Sequence, residues 1–357
     1  MLTALPGLAF AVFGAPAVAV ARRTGVTGGI LLGVTAIAVG LLARSATGSV
    51  LPFLALTLLA LAGMAMGNVL VPAWIKRHGG SRVTGQMAAY TVTLLIGASA
   101  SSLLAVPIAR IAPGGWRASI GAWGLIAVVA VGFWLVLARR ERGDTSDAAT
   151  GPTSGATRRI VTSPTAVALA VFFGTQAMNA YVQFGWLPQI YRDAGLSAGT
   201  AGALLAWISI LGIVGGIGMP VLVARTRDLS WLMWAFGIAT LAGYVGLLAA
   251  PAVAPWLWAT LLGLGGFAFT TALVLINART RDARVTARVS GFSQPAGYLL
   301  AGLGPLLVGV LHDVSGRWVE ALVFLMASCA VMTAAGLRLA RPTYVDDELG
   351  RPTRVRW

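Results

Sequence analysis

Residues 61–77 read LAGMAMGNVLVPAWIKR, and this stretch decides the fold. Its first fifteen residues carry no charge. Gly63, Ala65 and Gly67 are small enough to admit a neighbouring helix closely in lipid. A lone amide, Asn68, is followed by Pro72, and Lys76 and Arg77 mark the return to water. The stretch therefore reads as the second half of a membrane-spanning helix. An unpaired amide in hydrocarbon is costly, so Asn68 is expected to face protein or an aqueous cavity. Residues 264–279, LGGFAFTTALVLINAR, repeat the same plan.

Composition extends this reading to the whole chain. Hydrophobic residues make up 57% of the 357 and charged residues 10%, with mean hydropathy +0.83. A soluble domain carries about 25% charged residues, so an all-α polytopic membrane protein is expected. The long apolar runs exclude a barrel of alternating strands. The net charge of +15 suggests nucleic acid at first sight, but topology accounts for it. The single cysteine, Cys329, rules out an intramolecular disulfide and argues against a metal cluster. No metal, cofactor or nucleic-acid partner is expected.

Apolar windows of about 20 residues place eleven helices at 2–21, 28–43, 50–75, 84–109, 119–138, 165–187, 200–224, 229–250, 256–277, 287–311 and 319–339. Residues 139–163 are polar and rich in Gly, Ser and Thr, and read as a flexible linker. This gives an amino-terminal bundle over 1–138, a carboxyl-terminal bundle over 164–340 and a charged, loosely ordered tail over 341–357. Of the 26 Lys and Arg, 21 fall on one set of loops; only Arg44, Arg110, Arg117, Arg192 and Arg317 fall on the other. That bias places the linker and the carboxyl terminus in the cytoplasm of a bacterial cell, with the chain multi-pass in the inner membrane. A monomer is expected.

The two bundles are internal repeats. A shift of 203 residues lays Gly63 on Gly266 and Lys76 on Arg279, and a shift of 202 lays Trp116 on Trp318. Asn68 thereby gains Thr271 as its counterpart. Two pseudo-symmetric halves of six helices are the parent architecture. Met1 falls opposite Leu204, so the first half is expected to lack a whole first helix, through a start codon assigned too late or a real truncation.

Two six-helix halves with a basic linker resemble the Major Facilitator Superfamily. LTALPGLAF at 2–10, GNVLVPAWIKR at 67–77 and FGWLPQIYRDAGLS at 184–197 are similar to segments of its cyanate and nitroimidazole transporter branch. The resemblance implies that eleven of twelve helices are present, and that Gly67, Pro72, Lys76, Arg77, Trp186, Leu187 and Pro188 belong to family and gating motifs. The superfamily's acidic loop between helices two and three is reduced here to Ala21-Arg22-Arg23-Thr24-Gly25, which has no acid.

Transport requires a site near the midplane, built from polar groups inside spans. Gln176, Asn179 and Gln183 lie three and four residues apart, on one helical face, with Tyr181 nearby. They read as substrate contacts, or alternatively as ties between helices. Asn68, Thr270 and Thr271 are expected across the cavity. The hydroxyls of Thr270 and Thr271 can alternatively be satisfied by their own helix. Tyr90, Gln294 and Tyr298 are weaker candidates for cavity contact, whereas Trp207, deeper within its span than the tryptophans that read as interface anchors, is expected to form a wall of the cavity. All eleven acidic residues and both histidines sit in loops, termini or helix ends, so no carboxylate relay for protons is expected within the retained spans. No Ser/His, paired-Asp or metal-ligand set lies in a span, so no catalytic residue is expected. The expected function is a secondary transporter of a small anion or small heteroaromatic compound, cyanate- or nitroimidazole-like. Alternatives are a multidrug exporter and a non-transporting sensor or remnant.

Overall fold

The computed structural model describes residues 5–141 and 160–350. Most of the expected linker, the extreme termini and the side chain of Lys76 lie outside the described residues. The described residues are helical with short turns and contain no strand. They fall into two compact units, one over 5–141 and one over 160–350.

In the amino-terminal unit the helices are α1 (Leu5–Ala46), α2 (Val50–His78), α3 (Val83–Ile111) and α4 (Trp116–Arg140). α1 is two segments joined at Gly25, whose φ of 74° is open to glycine at little cost. The expected 2–21 and 28–43 helices lie on either side of that break. α1 and α2 pack closely along small residues: a Cβ on Gly40 would sit 2.6 Å from the Leu56 carbonyl oxygen, and one on Gly63 would strike the Gly33 carbonyl. Gly63 thus performs the close approach expected of it. Gly67 does not, because among the described residues no heavy atom lies within 4 Å of where its Cβ would be.

The acid missing between the first two segments is supplied from elsewhere. Glu141, just beyond α4, accepts a hydrogen bond from the Thr27 hydroxyl and lies 3.5 Å from His78 Nε2.

The carboxyl-terminal unit comprises α5 (Pro164–Asp193), α6 (Ala198–Arg225), α7 (Ser230–Ala249), α8 (Pro255–Gly265), α9 (Phe267–Ala278), α10 (Ala283–Ser315), α11 (Val319–Ala340) and α12 (Val345–Gly350). α5 starts where Ser163 Oγ accepts from the Ala166 amide at 3.1 Å, with Pro164 in the first turn. It is the most enclosed span, 78% buried over its apolar window, which is why a helix carrying three amides survives in this bundle. Gly174 and Gly297 let α5 and α10 cross: a Cβ on Gly174 would be 3.1 Å from Gly297 Cα. The span expected at 256–277 is interrupted at Gly266, which parts α8 from α9. Ten described helical segments are long and apolar enough to cross a membrane.

The tail departs from expectation. Residues 341–350 pack back against this unit and end in α12, with Val345 fully buried. The run Asp346-Asp347-Glu348 supplies acceptors to backbone N–H groups and basic side chains already present in the unit. These partners are remote in sequence, so composition alone reads the segment as a solvated tail.

Candidate functional site

The three amides of α5 divide by what surrounds them. Asn179 is completely buried. Its Nδ2 donates to the Thr175 carbonyl at 2.8 Å and to Ser328 Oγ at 3.0 Å. Its Oδ1 accepts from the Tyr244 hydroxyl at 2.7 Å. The same hydroxyl accepts from Gln183 Nε2 at 3.2 Å. Asn179 and Gln183 therefore join α5 to α7 and α11 inside one unit. Gln176 differs. It is 2% exposed, and its Oε1 is sealed from solvent with no hydrogen-bond donor among the described residues. A buried amide oxygen left unpaired costs about 1–3 kcal/mol, which makes it the unsatisfied point of this face.

One turn before Gln176 on the same helix, Phe173 begins an aromatic group. Its ring is 5.5 Å from Phe269 of α9 and 5.5 Å from Tyr298 of α10, the latter edge-on at 87°. Tyr181 packs against the same apolar cluster.

The other expected residues are dispersed. Thr271 is fully buried, and its hydroxyl donates back to the Phe267 carbonyl at 2.9 Å; Thr270 beside it is half-buried. Gln294 Nε2 donates to Ser290 Oγ at 2.9 Å. Trp207 Nε1 donates to Thr260 Oγ1 at 2.9 Å, and its ring meets Trp256 edge-on. In the amino-terminal unit, Tyr90 donates to Asn68 Oδ1 at 3.2 Å, linking α3 to α2. Pro72 lies inside α2 and Arg77 is exposed near its end.

Trp186, which the resemblance places in a family and gating motif, packs against protein groups. It donates to the Pro305 carbonyl at 2.9 Å and meets Trp318, which stacks on His312 at 3.9 Å. Leu187 is buried and Pro188 continues α5.

Tyr244, Ser328, Phe173 and Phe269 were not found from sequence. Tyr244 had a usable signal, as the lone phenol of its span. Ser328 and the two phenylalanines had none, since such residues are ordinary in membrane helices. Tyr244→Phe removes the hydroxyl that serves two buried amides. We expect it to cost about 1–3 kcal/mol, above the ~0.6 kcal/mol average for a membrane hydrogen bond, because the partners cannot turn to water. Thermal unfolding of the purified protein checks this; a melting temperature equal to the parent would refute it.

The chain matches the family model described as Major Facilitator Superfamily over residues 1–305. It is 33% identical over 347 residues to the 2-nitroimidazole transporter of Escherichia coli (strain K12), spanning 96% of this chain and 86% of that protein. It is 30% identical over 283 residues to the cyanate transport protein CynX of the same organism, spanning 79% and 72%. Its fold is similar to the crystal structure of a D-xylose-proton symporter, with TM-score 0.68 at 15% identity, over 95% of this chain and 84% of that one. The paired bundles, the family match and these relatives together establish that the chain belongs to the Major Facilitator Superfamily.

Proposed function

We propose that the protein is a secondary transporter that moves a small heteroaromatic compound or small anion by alternating access. The observation that carries this reading is the unpaired Gln176 carbonyl one turn from the Phe173–Phe269–Tyr298 aromatic group. A planar heterocycle offers a face for the rings and an N–H for the carbonyl, which suits a buried acceptor with no protein donor. Gln176, Gln183, Tyr181 and Tyr298 are the contacts proposed in this unit, with Asn179 and Tyr244 holding Gln183 in position. Asn68, Tyr90, Trp207, Thr270, Thr271 and Gln294 remain secondary candidates. Two relatives carry the names 2-nitroimidazole transporter and cyanate transport protein, which supports the substrate class.

The loop bias of Lys and Arg supports a bacterial inner-membrane location with the carboxyl terminus inside. The protein is read as a monomer in lipid. The test is uptake by proteoliposomes holding the purified chain, with labelled 2-nitroimidazole and cyanate as separate probes. Movement of either above protein-free vesicles is expected. If neither crosses faster than in protein-free vesicles, the reading fails.

A further inference from the structure

The segment after the last span is bonded to three separate parts of the carboxyl-terminal unit. The Val345 amide donates to the Arg279 carbonyl at 3.0 Å. Asp346 accepts from the amides of Arg281 and Asp282 at 2.9 and 3.0 Å, closing the turn between α9 and α10. Asp347 pairs with Arg281 at 2.7 Å, and the Arg281 guanidinium lies 3.9 Å over the Tyr344 ring. Glu348 reaches the start of α5. It accepts from the Thr165 amide at 3.1 Å, from the Thr165 hydroxyl at 2.8 Å and from Ser163 Oγ. Arg338 of α11 lies 3.3 Å from the same carboxylate. Beneath these contacts the buried Arg279 donates to the Leu339 carbonyl at 3.1 and 2.7 Å.

We propose that residues 344–350 are a clasp that fastens the α9–α10 turn, the start of α5 and the end of α11 into one block, so that these segments move together during transport. A carboxylate at a helix start meets unpaired N–H groups and the positive end of the helix dipole, which gives Glu348 a fixed seat on α5. The internal repeat offers a partial parallel. A shift of 203 lays His78 on Arg281, and one of 202 lays Glu141 on Thr343, beside Tyr344. In the amino-terminal unit Glu141 lies 3.5 Å from His78, as Asp347 reaches Arg281 in the carboxyl-terminal unit. The other bond of Glu141 goes to Thr27, which the shift of 203 lays on Ser230 at the start of α7, so the repeat matches the Arg281 contact and not the Glu348 seat on α5.

Ionisation acts in the same direction. Burial opposes the charge on Glu348, but bonds from Ser163 and Thr165, with Arg338 adjacent, hold its pKa below the ordinary glutamate value. Burial likewise opposes the charge on Asp346, and the Arg281 and Asp282 amides outweigh it, helped by the Arg281 charge. Asp347 and Asp282 are the other acids close by. A carboxylate whose folded pKa is lowered stabilises the fold above its unfolded pKa, and that contribution is lost as pH falls through the folded value. The clasp is therefore closed at neutral pH and opens only in acid.

The test is hydrogen exchange on the full chain, comparing the parent with Asp346→Asn/Glu348→Gln. Exchange of peptides covering 163–168 and 279–284 is expected to rise at least tenfold, with the middle of α10 unchanged. Uptake is expected to slow at least threefold at constant KM. Asp347→Asn, which removes only a half-exposed ion pair, should leave 163–168 as in the parent. If the double variant does not insert, Glu348→Gln is measured at 163–168 by the same criterion. Unchanged exchange in either segment overturns the clasp, as does faster exchange with unaltered uptake. The transport reading on which the uptake arm rests fails separately, through the parent's own uptake.

Discussion

Gln176→Ala/Gln183→Ala is expected to lower substrate movement at least about tenfold while leaving insertion and fold intact. The two amides enter the structure on different terms. Gln176 makes no hydrogen bond through its buried Oε1, so truncating it removes a penalty as well as a side chain. Gln183 gives one bond to Tyr244, whose hydroxyl still reaches Asn179 after truncation. The loss of one neutral bond costs about 0.5–1.5 kcal/mol. The substrate stands to lose more. A donor that met Gln176 is stranded in a dry site at about 1–3 kcal/mol, and every 1.4 kcal/mol is about tenfold in affinity. Two such losses lower uptake at least about tenfold, with the melting temperature within a few degrees of the parent. Uptake equal to the parent's in the double variant would remove this face of α5 from the site.

Gly63→Ala is expected to disrupt the amino-terminal unit, whereas Gly67→Ala, four residues on, is expected to be tolerated. A methyl at Gly63 collides with the Gly33 carbonyl and comes within 2.9 Å of Ile37 Cγ1 and 3.0 Å of the Ile37 nitrogen. Two of those atoms are backbone, so relief requires α1 and α2 to separate. Overpacking of this kind costs typically about 1–3 kcal/mol. It also breaks the small-residue contact that holds membrane helices together without a hydrophobic drive. At Gly67 nothing lies within 4 Å of the added methyl, and alanine favours a helix over glycine by about 1 kcal/mol. Monodispersity after detergent extraction and the melting temperature separate the two. Equal behaviour of Gly63→Ala and the parent would contradict the observed crossing.

The helices were legible in the sequence because lipid imposes one rule on every span: backbone groups must be paired within the helix, and side chains must be apolar. The windows at 50–75 and 319–339 fall within α2 and α11, extended by at most three residues. The repeat was legible for the same reason, since it is written in glycines and basic helix ends. Polar residues inside spans were equally visible, and Asn179 and Gln183 proved to be partners in one network.

Tertiary structure alone decided what those residues meet. Nothing local distinguishes Gln176, left with an unpaired oxygen, from Gln183, bonded to a phenol 61 residues away. The sequence also showed no acid in the loop after Ala21, yet Glu141 supplies one there from 114 residues on. Composition described the last segment as charged, and its partners lie up to 185 residues back along the chain. For residues 61–77, the sequence by itself determined a membrane helix, its small face and its basic end. Which of its glycines touches another backbone depended on where α1 crosses it, because hydropathy is a property of one segment and packing a property of two.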